Sequence, residues 1–496
     1  MGKIAPEIIE THWDAIIVGT GIGGAVAGYD WSQAGKKVLF IEKGPGATVG
    51  SDSLPIWKDS ILNTQTNKTF HPFLGEGIGG SSRLYGMVME RLESCDLIDN
   101  GGAWPLPLNE WERFFVGIEN LFQVHFDIVP GGFSPLIESL KSKGVNPLPL
   151  KLASRICDKC EYCQSRICEK SCKVDAWSGP LSVALKCTNT KLLTNCKVQT
   201  ILHNKYLVTG VKIDSDGEVQ TLSAKNIFLA AGALSTPFLL NRSSSIFYPQ
   251  GLGVRSGQLG RNLMRHFVDL YVLKWPQSQG LSAYKSLGIN DFYVDPKDGN
   301  KLGIFQSFGS LPLPHYVISE LKEQLPILKF IPGSKYLLNY FIKSIFSNPI
   351  MASIIEDPPE FENGLDLVSE NQLRLNYKIS TKGRRRIDRS REIGQQIFSP
   401  FLKRILPEAE NNTRLAHVCG TCRMGTDPET SVVDLLGRLH EMENLFITDS
   451  SVFPSSTGKN PSLIIAANAL RIAESARSKN NDDRLQRLVG SHYRRH

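Results

Sequence analysis

The chain has 496 residues, 41% of them hydrophobic, which is enough for a large core and two or more domains and excludes a disordered polymer. Its formal net charge of +7 is spread along the sequence, and the two basic runs, Lys382 to Arg386 and Tyr493 to His496, lack interleaved aromatics, so they read as a solvated loop and a frayed terminus and not as a nucleic-acid platform. No stretch reaches the ~18 apolar residues of a membrane span, and the first apolar run, Ala15 to Val18, does not resemble a signal segment, so a cytoplasmic protein is expected.

Trp13 to Val18 reads as a short buried strand and Ala25 to Ala34 as a helix, with Gly19-Thr20-Gly21-Ile22-Gly23-Gly24 between them. In such a unit Gly19 makes the tight turn, Gly21 lets the backbone approach a pyrophosphate, and Gly24 lets the helix pack closely on the strand. A second strand, Lys37 to Ile41, ends in Glu42, at the distance where a carboxylate accepts from ribose hydroxyls. The unit suits the adenosine half of a dinucleotide, and by itself leaves FAD and NAD open.

A second glycine-rich stretch follows, Gly75-Glu76-Gly77-Ile78-Gly79-Gly80-Ser81-Ser82, with Tyr85-Gly86-Met87 behind it. Next come five cysteines, Cys157-x2-Cys160-x2-Cys163-x4-Cys168-x3-Cys172, spaced so that several thiolates can converge on one centre. An iron-sulfur cluster, a structural zinc site and thiols that bind nothing all fit that spacing. A strand at Asn226 to Leu229 then leads into Ala231-Gly232-Ala233-Leu234-Ser235-Thr236-Pro237, and Gly260-Arg261-Asn262-Leu263 follows. The last fifth carries His417-Val418-Cys419-Gly420-Thr421-Cys422-Arg423-Met424-Gly425, then Asn444 to Pro454, and closes with Gly458-Lys459-Asn460-Pro461-Ser462-Leu463 opening an apolar helix.

In this order and at these spacings, the segments resemble the glucose-methanol-choline (GMC) oxidoreductases from end to end. The resemblance implies an α/β fold with a Rossmann-like, discontinuous FAD-binding domain over residues 10–105, 186–270 and 410–480. It also implies a substrate-binding domain on an antiparallel sheet, over 106–185, with the cysteine segment 157–172, and 271–409, followed by a basic tail at 481–496. Residues implied to hold FAD are Gly19, Gly21, Gly24, Glu42, Gly79, Gly80, Ser81 and Val198, with Asp449 near the ribityl-phosphate region and Asn460 and Pro461 near the flavin ring. Covalent attachment in this family uses a His in the second glycine loop; none lies between Gly75 and Arg91, so non-covalent FAD is expected.

Alcohol oxidation needs a base for the hydroxyl proton, a hydrogen-bonding partner for the oxygen and an acceptor for the hydride. The resemblance assigns His417 as base and Asn460 as the partner, whereas His71, His266 and His440 have no comparable context and read as ordinary surface or core residues. Cys419 and Cys422 read as packing residues beside the base. Cys163, Cys168 and Cys172 are spaced like the ligands of the three-iron cluster of bacterial FAD glucose dehydrogenases in this family, while Tyr162 and the additional Cys157 and Cys160 depart from that pattern. Tyr85-Gly86, Lys173-x-Asp175-Ala176 and the His417 motif are similar to alcohol oxidases of aminoglycoside pathways, which points to antibiotic biosynthesis and to a CH-OH group of a sugar, aminosugar or polyol as substrate. The electron acceptor is left open between oxygen, a quinone and a redox protein. Two alternatives remain: a non-redox or desaturase-type FAD enzyme, and a non-catalytic flavin- and zinc-binding protein.

Overall fold

The computed structural model describes residues 4–46, 59–98, 104–155, 164–165, 167–170, 172–274, 285–309, 333, 336, 338, 340, 348–369 and 372–478. The run Trp13–Val18 is apolar at nearly every position and buried, as befits a strand covered on both faces, and it pairs in parallel with Val38–Ile41 on one side and with the end of Glu218–Leu229 on the other. The full seven-stranded sheet runs Thr190–Leu193, Val38–Ile41, Trp13–Val18, Glu218–Leu229, Val208–Ser215, Cys196–His203, with Leu445–Ile447 joined in parallel to Glu218–Leu229. Glu218–Leu229 serves both parts of this sheet, because its first half is antiparallel to Val208–Ser215 and its second half is parallel to Trp13–Val18.

The helix after the first strand spans Ile22–Gln33, starting earlier than the expected Ala25 because Gly21 is its N-cap and the glycines after it are already helical. It lies so close to the sheet that a Cβ on Gly28 would sit 2.1 Å from the Phe40 ring. Helix Ser462–Arg477 closes over it: the Trp31 indole N–H donates to the Ala473 carbonyl at 3.1 Å, and Arg477 pairs with Asp30 at 2.8 Å. Helix Leu108–Leu121 buries Trp111, Phe114, Phe115 and Ile118 in the same core as Val26 and Leu39. The sequence groups residues 106–185 with the substrate-binding part; this helix packs on the C-terminal helix Ser462–Arg477, its apolar stripe meeting Trp104 and Arg471.

The second sheet has six strands in the order Leu402–Leu406, Leu270–Leu273, Ile350–Ile355, Gly303–Ser307, Leu287–Ile289, Leu148–Pro149, and all its pairings are antiparallel. Helix Thr381–Phe398 covers it, with Ser380 accepting the Gly383 N–H as N-cap and Gly394 placed where a Cβ would meet the Tyr271 ring at 2.2 Å. This corrects the reading of Lys382 to Arg386 as a solvated loop: the run opens a helix, and Arg386 reaches the buried Glu356 at 3.1 Å. A four-stranded sheet of Gly364–Ser369, Gln372–Asn376, Ser60–Asn63 and Lys68–Phe70 joins the early chain to the late one. The fold is therefore mixed α/β, with a largely parallel nucleotide-type sheet and an antiparallel partner. The basic tail at 481–496 lies outside the described residues. No helix among the described residues is long and apolar enough to cross a membrane.

Trp111 stacks on Phe115 at 5.7 Å and meets Trp104 edge-on at 5.9 Å. Trp111→Ala is expected to lower unfolding stability by about 3–5 kcal/mol, read as a shift in the urea midpoint at constant slope.

Candidate active site

Two glycine loops meet at the carboxyl end of strand Trp13–Val18. Gly19 turns with φ +96°, and a Cβ there would lie 2.4 Å from the Ala230 carbonyl oxygen; on Gly24 it would lie 2.1 Å from the Gly19 carbonyl oxygen. Gly23, not singled out by sequence, is equally tight, at 2.1 Å from the Thr448 carbonyl oxygen. Gly21 differs: a Cβ there would meet nothing within 4 Å, so this glycine faces open space at the N-terminus of helix Ile22–Gln33, where backbone N–H groups lack helical partners. That opening beside a close-packed turn fits a dinucleotide phosphate.

The second loop lies across the opening. A Cβ on Gly80 would come within 3.3 Å of Gly21 Cα, and the Gly79 N–H donates to Thr20 Oγ1 at 3.1 Å. Gly77, Gly79 and Gly80 have positive φ, and exposed Ser81 accepts the Gly75 N–H through its hydroxyl at 3.1 Å. The segment Lys173 to Ala176 holds this loop from behind. Lys173 Nζ donates to the Arg83 carbonyl at 2.9 Å, Asp175 pairs with buried Arg83 at 3.0 Å, the Ala176 N–H donates to Ser82 Oγ at 3.0 Å, and the Tyr85 hydroxyl donates to the Val174 carbonyl.

Glu42 ends the second parallel strand in the expected place. Its carboxylate accepts from Thr20 N at 3.1 Å, Thr20 Oγ1 at 2.5 Å and Gly44 N at 2.9 Å, while burial pushes its pKa above the ordinary value. The Cys196 N–H donates to the Glu42 carbonyl at 3.0 Å, which brings the strand bearing half-buried Val198 alongside. Asp449 is buried, and its carboxylate accepts from Gly232 N at 2.8 Å, Thr236 Oγ1 at 2.5 Å and Ser451 N at 2.9 Å; a Cβ on Gly23 would lie 3.3 Å from its Cα. Burial raises the Asp449 pKa, with the Ser451 and Thr236 hydrogen bonds opposing.

The loop of His417 is tied to that of Asp449 through Ser450, whose hydroxyl donates to the Val418 carbonyl at 2.8 Å and whose carbonyl accepts the Gly420 N–H at 3.1 Å. His417 adopts φ +58°, a left-handed conformation uncommon for a side chain of its size. Its Nδ1 lies 2.8 Å from Nδ1 of His266. His266 Nε2 faces the Ser456 carbonyl at 3.0 Å and the Thr457 carbonyl at 2.9 Å. Carbonyls only accept, so Nε2 of His266 carries the proton; burial pulls that imidazole down to about 4, so it is neutral and its Nδ1 is bare. Nδ1 of His417 is therefore the donor in the pair, and Nε2 of His417 holds a free lone pair. His266, read from sequence as an ordinary surface or core residue, is a buried one, and through this contact it sets the tautomer of His417.

Asn460 is buried, and Pro461 after it is the N-cap of helix Ser462–Arg477. Its Nδ2 donates to Glu90 Oε2 at 2.9 Å and to Gln306 Oε1 at 2.9 Å, and its backbone N–H points to the same Glu90 oxygen at 3.3 Å. Both amide hydrogens are engaged, so Asn460 offers its Oδ1, on which Gln306 Nε2 makes a long contact of 3.4 Å. Glu90 and His417 retain accessible surface although protein surrounds both, as expected of side chains lining a cleft. Burial raises the Glu90 pKa, with Lys459 the leading opposing charge; burial, then His266 and Lys285, hold His417 well below the ordinary histidine value. Glu90, Gln306 and Lys285 were not identified from sequence and carry no local motif.

Of the candidate metal ligands, Cys157, Cys160 and Cys163 lie outside the described residues, while Cys168 is half-buried and Cys172 buried. Among the described residues, no three His, Cys, Asp or Glu side chains converge as a metal site. Cys419 and Cys422 are buried, with thiols pushed well above their ordinary pKa by burial, which suits packing.

Such a site, on a sheet of this order, defines a dinucleotide-dependent oxidoreductase. Family models described as GMC oxidoreductase match residues 13–268 and 374–469, and the chain belongs to that family, whose members bind FAD. Paromamine 6'-oxidase of Streptomyces fradiae is 24% identical across 93% of this chain and 91% of its own. Pyridoxine 4-oxidase of Microbacterium luteolum is 25% identical across 90% and 96% respectively. The solved structure of a formate oxidase of Aspergillus oryzae shares the fold with a TM-score of 0.67, at 15% identity over 95% of this chain and 99% of that one.

Two glycine substitutions should separate folding from cofactor loading. Gly23→Ala is expected to abolish FAD uptake and lower stability, because its Cβ meets backbone at 2.1 Å. Gly21→Ala should leave the circular dichroism spectrum and melting temperature of the apoprotein unchanged while weakening FAD binding by at least about tenfold in a fluorescence titration.

Proposed function

We propose that this protein oxidises a CH-OH group of a small polyhydroxylated substrate, a sugar, aminosugar or polyol, to the carbonyl, with His417 Nε2 as the base. The observation that carries this reading is the tautomer relay: two carbonyls hold the His266 proton on Nε2, His266 Nδ1 accepts from His417, and a bare imidazole nitrogen remains where the family places its base. FAD, when bound, supplies the acceptor for the carbinol hydride. Gly21, Gly80 and the N-terminus of helix Ile22–Gln33 would hold its phosphates, and Glu42, Val198, Asp449 and Pro461 would line its length, without a covalent link. Asn460, fixed by Glu90 and Gln306, presents Oδ1 to accept from a neighbouring hydroxyl of the substrate, which leaves the proton of the reacting hydroxyl for His417. His417 takes the hydroxyl proton as the hydride leaves carbon. The relatives named for paromamine and pyridoxine support a small hydroxylated substrate, and their naming as oxidases supports oxygen as the electron acceptor.

His417→Ala is expected to retain FAD but to slow anaerobic flavin reduction by the substrate about 10²–10⁴-fold, measured by stopped-flow absorbance. An alcohol panel that reduces the wild type and this variant equally would overturn the assignment. Because the His417 pKa is lowered, the base stays unprotonated through neutral pH: flavin reduction should be level from about pH 6.5 upward and lost only as pH falls through that depressed value, well below the ordinary histidine range. His266→Phe, which removes the acceptor but keeps the ring volume, should slow the same step by about 10²-fold with FAD content unchanged, and His266→Gln should recover part of the loss.

A further inference from the structure

Lys285 stands at the entry to strand Leu287–Ile289 of the antiparallel sheet, with only 8% of its surface exposed. A lysine this deep ordinarily sits against a carboxylate or several carbonyl oxygens, since an uncompensated ammonium in a protein interior costs several kcal/mol. Among the described residues Lys285 has neither a hydrogen bond nor an ion pair. Its Nζ is the nearest atom to where a Cβ on Gly86 would be, at 2.8 Å, and Gln164 Oε1 lies 3.0 Å from that same point. Gln164 Oε1 is itself buried without a hydrogen-bond donor among the described residues. Gly309 makes room from the other side, where a Cβ would meet Gln164 Oε1 at 2.9 Å and Lys285 Cβ at 2.9 Å. Two glycines thus let a donor and an acceptor that have no partner among the described residues come together against backbone.

The pair adjoins the residues around Asn460: Lys285 leads into the strand whose Gly288 lies opposite Gln306, the acceptor of Asn460 Nδ2, and Gly86, against which Lys285 Nζ lies, is close in sequence to Glu90. The Lys285 charge helps to depress His417 and is felt by Glu90, the carboxylate that anchors Asn460. Glu90 does not neutralise it by contact, since one Glu90 oxygen is engaged by the two N–H groups of Asn460 and no Glu90–Lys285 ion pair forms. Burial pulls Lys285 down to about 8, with Glu90 opposing, so the amine still carries its proton at neutral pH.

We propose that Lys285 and Gln164 form a substrate subsite for a hydroxy acid, in which the Lys285 ammonium takes a carboxylate and Gln164 Oε1 accepts from a neighbouring hydroxyl. A single ammonium matches a monoanion; a phosphate dianion calls for more donors than this site holds. The subsite rests on the alcohol-oxidation reading and narrows it, favouring a sugar acid over a neutral polyol or the ammonium of an aminosugar.

The FAD-loaded full chain tests this with gluconate, sorbitol and glucosamine, each titrated anaerobically and followed by perturbation or bleaching of the flavin spectrum. Wild type should bind gluconate at least tenfold more tightly than sorbitol or glucosamine. Lys285→Met, similar in volume and uncharged, should erase that preference, and Lys285→Arg should retain it. Equal affinity of the wild type for all three compounds, or a gluconate preference that survives in Lys285→Met, would overturn the subsite. If Lys285→Met does not load FAD, the wild-type and Lys285→Arg preferences decide: both favouring gluconate supports the subsite, and neither doing so overturns it. Flavin bleaching by sorbitol without a gluconate preference would sink the subsite and leave alcohol oxidation standing. A Lys285-dependent gluconate perturbation with no bleaching by any alcohol would do the reverse.

Discussion

No side chain fits on Gly19, Gly23 or Gly24 after strand Trp13–Val18, and the architecture around the cofactor site follows from that. The carbonyls of Ala230, Gly19 and Thr448 press on Gly19, Gly24 and Gly23, so strand ends from three distant parts of the chain converge on a single turn. The sheet order makes this convergence possible, because Glu218–Leu229 and Leu445–Ile447 run parallel to the first strand and end beside it. Gly21 alone looks into open space, and the second loop, hung from Thr20 through Gly79, covers it. A binding cleft at the carboxyl ends of parallel strands arises here from backbone packing before any side chain takes part.

The proposed catalytic pair, His417 and Asn460, uses a different physics. His417 is held at positive φ between a bridge to the Asp449 loop and a ring contact to His266, a conformation that the surrounding hydrogen bonds must over-determine. His266 draws its orientation from two carbonyls of the loop that ends in Asn460, so the segment supplying the second polar group of the site also sets the protonation pattern of the first. His417 and Asn460 are thereby coupled through backbone. Burial of both imidazoles keeps them neutral, which suits a proton acceptor and removes the repulsion that two imidazolium rings at 2.8 Å would feel.

Buried charged groups around the antiparallel sheet are paired: Arg391 with Asp269 at 2.6 Å, Arg389 with Asp295 at 2.7 Å, and Lys301 with Glu356 at 2.9 Å. These hold helix Thr381–Phe398 and the strand ends against the sheet. Buried Lys285 differs from them in having no such pair among the described residues, which suits a charge that serves a ligand.

Much of the nucleotide half was legible from local rules. An apolar run followed by glycines at set spacing and a helix, with an acidic residue ending the next strand, requires few conformations other than the one observed at Trp13 to Glu42. The helix start was misplaced by three residues because glycine has little intrinsic helical preference, and packing on Thr448 and Phe40 supplied what propensity lacked. The contact of helix Leu108–Leu121 with helix Ser462–Arg477 was not legible, because an amphipathic stripe says that a face is buried without saying against what. His417 and Asn460 were readable through motif resemblance, whereas His266, Glu90, Gln306 and Lys285 were not. Their partners lie 151 residues away for His266, 370 for Glu90 and 154 for Gln306, far beyond the few residues over which periodicity, capping and turn chemistry act. The sequence by itself determined the strand-glycine-helix unit, the cofactor class through family likeness, and the place of His417 and Asn460 in the family's motifs. Only the tertiary structure decided which tautomer His417 holds, which way the Asn460 amide faces and where Lys285 lies, because each depends on strands from two sheets closing on one another.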